Sequence, residues 1–348
     1  MYKLEYLANF ARNKEACKIV ANEEFAITNP FSLEDSKNTK AMQKCIGEMF
    51  GRKWVQFFGC AKEDFSTLLL KIGVAQSALS VGFSQAAYQS FGLFRELHKI
   101  VIPTPESVCS HNVRYYFIPY VNEDILSLNP ILDIAHTLDS MQRDYVLFVE
   151  ASSLLQVGAW EILTTLSHPK IALVVNGERI GLMPRSGFIA HSIPDLVPHF
   201  DTPLPSGFMA SLLYVCEQFR HNTRLWEYCT HNYNTLLFGH LQELLGERVG
   251  VFTPLEKCFG NCLALRVFGA KARVLAQSLL LENVSVINGA DCLLGNFRPS
   301  FVLNELGFKE AHCRELLSIS FMDLSPSTLT LIAQKIAKVC AITQALEI

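Results

Sequence analysis

Apolar and polar positions follow two different patterns along this chain. From about residue 20 to residue 245, short apolar runs of strand length alternate with longer stretches of helical spacing. The strand-like runs are 54–58, 100–102, 114–119, 147–151 and 171–175, with another opening at Phe188. Helical spacing covers 39–50, where Ala41, Met42, Cys45, Ile46 and Met49 recur, then 66–72 and, loosely, 74–98 around Gly82 and Gly92. It returns across 209–246 with Leu212, Leu213, Val215, Cys216 and Phe219. From Val249 the pattern tightens into a compact α+β unit: strands at 261–267, 284–287 and 316–321, and helices at 270–282 and 325–345. At the other end, a short strand around Tyr6 and Leu7 is expected before a charged helical stretch. The pattern predicts an α/β chain with a large domain over 20–245 and a small α+β domain combining 1–19 with 246–348.

Composition narrows the class. Hydrophobic residues make up 50% of the 348 and charged residues 18%, enough to build a substantial core. Mean hydropathy is +0.22, but no uninterrupted apolar run approaches the roughly 18 residues of a membrane span. The opening residues carry charges throughout and lack the apolar centre of a signal peptide. Eleven cysteines are scattered without a CxxC or another metal-ligand spacing. Both features predict a cytoplasmic protein with mostly buried thiols and no metal. A formal net charge of -3 gives no electrostatic case for nucleic acid.

The chemistry centres on residues 171–190, IALVVNGERIGLMPRSGFIA. Five apolar residues run into the polar tetrad Asn176, Gly177, Glu178 and Arg179; a turn with Gly181, Pro184 and Gly187 then leads to the next apolar run. A strand, a polar tip, a turn and a returning strand place one charged side chain at the rim of a sheet. The stretch resembles the lysine loop of the cysteine desulfurases, the class V branch of fold-type I pyridoxal-phosphate enzymes. There the order is strand, Ser-Gly-His-Lys, a Gly-Pro turn and a second strand, and the lysine carries the cofactor as an imine. Here Arg179 stands at the lysine position and Glu178 at the histidine position. A guanidinium stays protonated at working pH and cannot supply the neutral amine an imine requires.

The resemblance extends over nearly the whole chain. Tyr6 to Asn9 resembles the family's opening Tyr-Leu-Asp-Asn, and Asn29 to Ser32 its Asn-Pro-Ser-Ser. The most specific match is 288–307, which lies without a gap over the family's Ser-Gly-Ser-Ala-Cys loop and its Glu-Pro-Ser-x-Val-Leu-x-x-Leu-Gly continuation. It puts Cys292 on the loop whose cysteine takes sulfur from substrate. Leu316 to Phe321 matches the strand that carries a carboxylate-binding arginine, with Ser318 at that position. Residues 147–151 match Phe-His-Val-Asp-Ala: Glu150 keeps the carboxylate that faces the pyridine nitrogen, and Ser153 stands for a nearby glutamine. Glu150 reads equally well as a helix cap or ion-pair partner. At the phosphate loop Cys60 and Ala61 replace two glycines, and Lys62 replaces a threonine. Lys62 could bind an anion there, although a solvated lysine ahead of a helix is the preferred reading. Ser107 stands for the ring-stacking histidine, and Phe208 for a threonine that reaches a phosphate across a dimer interface. The chain is shorter than a typical member. Either 121–124 matches the family's Val-Asn-Asn-Glu, with a strand and helix lost before it, or 114–133 matches the preceding strand and the loss follows Val149. The first is preferred.

The resemblance implies the aspartate aminotransferase-like fold of pyridoxal-phosphate transferases, with a mainly parallel sheet of the seven-strand type, complete or one strand short. It implies a dimer, with itself or with a related desulfurase. Lys62, Ser107, Glu150, Ser153, Glu178, Arg179, Phe208 and Ser318 would line the former cofactor pocket, and Arg179 is expected to meet a carboxylate there, Glu150 first. Three functions remain open. In the preferred one the chain is a catalytically inactive scaffold or partner protein that holds no cofactor. In the second, Cys292 accepts persulfide without pyridoxal phosphate. In the third, the register is wrong and the chain is an active pyridoxal-phosphate enzyme.

Overall fold

The computed structural model describes residues 1–24, 33–58, 115–140, 145–182, 186–194, 206–289 and 299–346. The helix and strand expected at 66–72 and 100–102, and the loose helix at 74–98, lie outside the described residues, as do Lys62, Ser107 and Cys292. Ten strands are described: β1 (Tyr2–Lys3), β2 (Trp54–Phe58), β3 (Tyr115–Pro119), β4 (Val146–Glu150), β5 (Ile171–Asn176), β6 (Gly187–His191), β7 (Val249–Val251), β8 (Cys262–Val267), β9 (Val284–Ser285) and β10 (Leu316–Ser320). The chain divides into two compact units, one of residues 10–120 and 130–223, the other of 1–9, 121–129 and 224–348.

The first unit is built on a mixed sheet of order β2-β6-β5-β4-β3. β3, β4 and β5 run parallel, and β6 runs antiparallel to both β5 and β2. Four of the five described strands therefore share one direction. Helix Ile131–Ser140 carries the crossover from β3 to β4, and the short helices Ser152–Gln156 and Trp160–Thr165 lie between β4 and β5. β4 and β6 are buried at every residue, and β5 at all but its last. Burial on both faces explains why these strands read as continuous apolar runs rather than alternating ones. Phe50, at the end of helix Leu33–Met49, packs its ring 5.2 Å from Phe188 and 5.0 Å from Trp160.

The second unit carries the antiparallel sheet β10-β8-β7 and the parallel pair β1-β9. Leu237, Leu241, Leu263, Leu265, Leu317 and Ile332 are among the side chains of its core. The expected strand at Tyr6 and Leu7 is displaced towards the N-terminus. Tyr2 and Lys3 pair with Val284 and Ser285, Glu5 bridges to Ser320, and residues 6–9 turn back on the Glu5 carbonyl. Fully buried Leu4 is the anchor, and it lay hidden among charged neighbours. The single helical stretch expected over 209–246 is three helices: Ser206–His221, Thr223–Thr230 and Tyr233–Leu245. The break before the last is fixed by Gly260. A Cβ there would sit 1.8 Å from the His231 carbonyl oxygen, so only glycine lets the two segments meet. Relative to the expected domain limits, residues 10–19 fall with the first unit, and residues 121–129 and 224–245 fall with the second.

Candidate functional site

In the first unit, polar side chains gather at the C-terminal ends of β4 and β5. These strands are parallel and adjacent, with Glu150 in register with Val174, so both carry their following residues to the same edge. Asn176 closes β5 and caps the short 3-10 helix Gly177–Ile180 by accepting from Glu178 N. That turn ends at Gly181 in the left-handed region, φ +85°. The tip is tight: a Cβ on Gly177 would lie 2.2 Å from Ser186 Oγ.

The tip directs Arg179 towards β4. Arg179 Nη1 donates to Glu150 Oε2 at 3.4 Å, and Ser152 N donates to Glu150 Oε1 at 3.1 Å. The Arg179 backbone is held as well, its carbonyl accepting from Gln156 Nε2 at 2.6 Å. Ser152 Oγ accepts from Asn176 N at 2.7 Å and ties the two strand ends together. Glu150 is 6% exposed, so its charge is answered at short range by a guanidinium and a backbone N–H rather than by water. Ser153, also buried, has an Oγ with no hydrogen-bond partner among the described residues.

The other expected pocket residues diverge. Glu178 does not join Arg179 and Glu150. It lies at the surface, its side chain 52% exposed, and pairs with Arg12 Nη2 at 3.3 Å. Arg12 Nη1 also donates to the Leu182 carbonyl and so fastens the turn from outside. A 3-10 helix has about three residues per turn, so neighbouring positions point about a third of a turn apart, which sends Glu178 and Arg179 in different directions. Phe208 is fully buried in helix Ser206–His221 and serves as core.

Ser318 belongs to the second unit and is 1% exposed. Its Oγ donates to the Asp124 carbonyl at 2.5 Å and accepts from Gly289 N at 3.1 Å. The Asp124 carboxylate accepts from Ser300 Oγ at 2.6 Å. Gly289 is forced by this carboxylate: its φ is +86°, and a Cβ would lie 2.9 Å from Asp124 Oδ1. The position therefore presents a buried acid beside a committed serine hydroxyl. Ser152, Arg12, Asp124 and Ser300 were not foreseen. Arg12 and Glu178 are 166 positions apart and Asp124 and Ser300 are 176 apart, and no local spacing marks them. Asn176 did carry a signal, as a cap residue before a short polar turn.

These residues do not fit pyridoxal phosphate held as an imine. The matched position offers a guanidinium, not a deprotonatable amine, and both oxygens of the carboxylate that would face the ring nitrogen are engaged within the chain. Among the described residues no group of histidines, cysteines and carboxylates could hold a metal ion. Burial pushes the thiols of Cys216 and Cys258 up to about 12 and that of Cys340 to about 11, away from thiolate chemistry. No described helix is long and apolar enough to cross a membrane.

No protein-family model matches the chain, and no curated protein matches it. Solved structures do. A NifS-like protein aligns over 98% of this chain and 99% of its own with a TM-score of 0.67 at 13% identity. The NifS-like protein of Rickettsia africae covers 99% of both chains with a TM-score of 0.60 at 12% identity. A Bacillus anthracis aminotransferase aligns over 97% of this chain and 87% of its own, with a TM-score of 0.62 at 10% identity. The chain has the fold of NifS-like proteins and aminotransferases, the pyridoxal-phosphate transferase fold, over nearly its full length.

Proposed function

We propose that this chain is a catalytically silent protein on the cysteine desulfurase fold, working without pyridoxal phosphate as a scaffold, paired with itself or with a related active desulfurase. The observation that carries the reading is the ion pair of Arg179 with buried Glu150. One partner stands where an imine lysine would be and the other where a ring-nitrogen carboxylate would be, and each answers the other's charge. The interaction gives both side chains a structural role and leaves neither for a cofactor. Ser318, consumed by Asp124 and Gly289, supports the reading from the second unit, since a substrate carboxylate finds a buried acid there instead of a cation. The test is sulfide release from cysteine by purified protein supplied with pyridoxal phosphate, together with its sedimentation alone and mixed with an active desulfurase. The expected outcome is no sulfide above a heat-denatured control, and a dimer or mixed complex. Sulfide released in proportion to enzyme would end the silent reading; a monomer that ignores the desulfurase would end the scaffold reading.

A further inference from the structure

In the second unit, the sheet β10-β8-β7 gives its two faces different company. Leu263, Leu265 and Val267 of β8 and Val249 of β7 point into the core. By the strand period of two, Arg266 and its register partner Gly250 lie on the other face. Arg266 is held there between two rings, its Cζ 4.5 Å from the Phe268 centroid and 5.4 Å from that of Phe252. The Phe252 ring in turn meets Phe308 edge-on at 5.5 Å. Phe268 lies over Gly250, where a Cβ would come within 3.0 Å of its ring. Three phenylalanines and an arginine thus form one continuous platform, of which Phe268 is 40% exposed.

The platform is incomplete in both hydrogen bonding and charge. Arg266 Nε donates to Glu315 Oε2 at 2.6 Å, and Glu315 Oε1 accepts from Gly269 N at 2.9 Å. The two rings and Glu315 fix the plane of the guanidinium, but Nη1 and Nη2 have no hydrogen-bond partner among the described residues. Lys309, next to Phe308, is exposed and has no ion pair among the described residues. Glu315 answers one of these two cations, and the other stays unanswered. β7 is also the last strand of its sheet among the described residues. Phe268 N donates to the Arg248 carbonyl and Phe252 N to the Ala264 carbonyl, so residues 248, 250 and 252 turn their backbone to β8. Val251 therefore turns its N–H and C=O the other way, to the open edge. An extended chain laid along β7 would pair with Val251 through residues whose side chains follow Val251, and put the alternate side chains on the Arg266 face. There the unused guanidinium N–H groups and the lysine select carboxylates, whereas an apolar side chain would strip water from them without replacing it.

We propose that β7 and the Arg266 platform are a docking edge for an extended acidic segment of a partner protein, which adds a strand beside Val251 and sets carboxylates against Arg266 and Lys309. The test uses the full chain and three short, end-blocked fluorescent peptides. One alternates valine with glutamate, the second has lysine for glutamate, and the third is the first with N-methylated valines, which cannot donate to Val251. The expected result is saturable binding of the first peptide alone by anisotropy, with slowed amide hydrogen exchange across 249–252. Arg266→Gln and Lys309→Glu should each weaken that binding about tenfold or more. If Arg266→Gln does not fold, Lys309→Glu, at an exposed position, and the N-methylated peptide decide. No binding of the first peptide, equal binding of either control, or protection confined elsewhere overturns the proposal. So does displacement of the peptide by acetate at matched carboxylate concentration, which would mark a small-anion site. Self-association of the chain that Phe268→Ser abolishes would give the edge to a second copy and overturn it as well.

Discussion

Arg179 is worth more to this chain as a counter-ion than its half-buried position on a turn suggests. Its side chain is 20% exposed, whereas that of Glu150 is 7% exposed. Arg179→Ala therefore takes the guanidinium from a buried carboxylate and should cost about 2–3 kcal/mol by denaturant unfolding, below the range for a fully buried pair because water reaches the arginine and Ser152 N still donates to Glu150. The double change Glu150→Met with Arg179→Met removes both charges and should return to within about 1 kcal/mol of wild type. If the single and double variants lose the same stability, the pair is not coupled. Gly177→Ala tests the same tip sterically. Ser186 Oγ can rotate away from the new Cβ, but the Ser186 carbonyl oxygen, 2.9 Å off, is backbone and cannot. A loss of about 1–3 kcal/mol is expected. His191 supplies the pH dependence. Burial is the main cause that lowers its pKa to about 4, with the Arg52 charge adding to it. The unfolded chain, with a histidine near about 6.5, then binds the proton more readily than the folded one. Stability should be full above about pH 6.5, fall by roughly 2–3 kcal/mol towards pH 4, and receive little further change from this group below that. His191→Phe should flatten the slope between those limits.

Secondary-structure elements were legible wherever a buried strand produced an apolar run. β2 was placed at 54–58, and the strand–tip–strand of 171–190 is the antiparallel hairpin of β5 and β6. Elements whose limits depend on distant partners were not legible. The helix of Tyr233–Leu245 is set by Asn234, which is 2% exposed. Its Nδ2 donates to the carbonyls of Leu255, Phe259 and Cys262 at 3.3, 3.3 and 3.1 Å. Periodicity reports the apolar face of a helix, not a polar side chain that stitches it to a loop some 20 residues away. Asn234→Ala should cost about 1–3 kcal/mol and lower Tm, because carbonyls would be left buried without donors. Asn234→Asp should do no better, since a carboxylate brings an acceptor to acceptors. Glu178 was misjudged for a related reason: sequence adjacency to Arg179 suggested a shared pocket, and the tight turn separated them.

For the whole molecule, the fold was within reach of the sequence because buried apolar runs mark the strands even where global identity to NifS-like structures is only 12–13%. The site was legible at Glu150 and Arg179, whose pairing follows from the need to answer a buried charge. It was not legible at Asp124, which reaches Ser300 across 176 positions. The central claim is that Arg179 and Glu150 satisfy each other where an imine would form, and borohydride trapping tests it most directly. Wild type and Arg179→Lys are incubated with pyridoxal phosphate, reduced, digested and mapped by mass spectrometry. The account predicts no site-specific pyridoxyl adduct in wild type and no sulfide release from cysteine by either protein. A stoichiometric adduct on a single wild-type lysine, with a visible imine band before reduction, would contradict it.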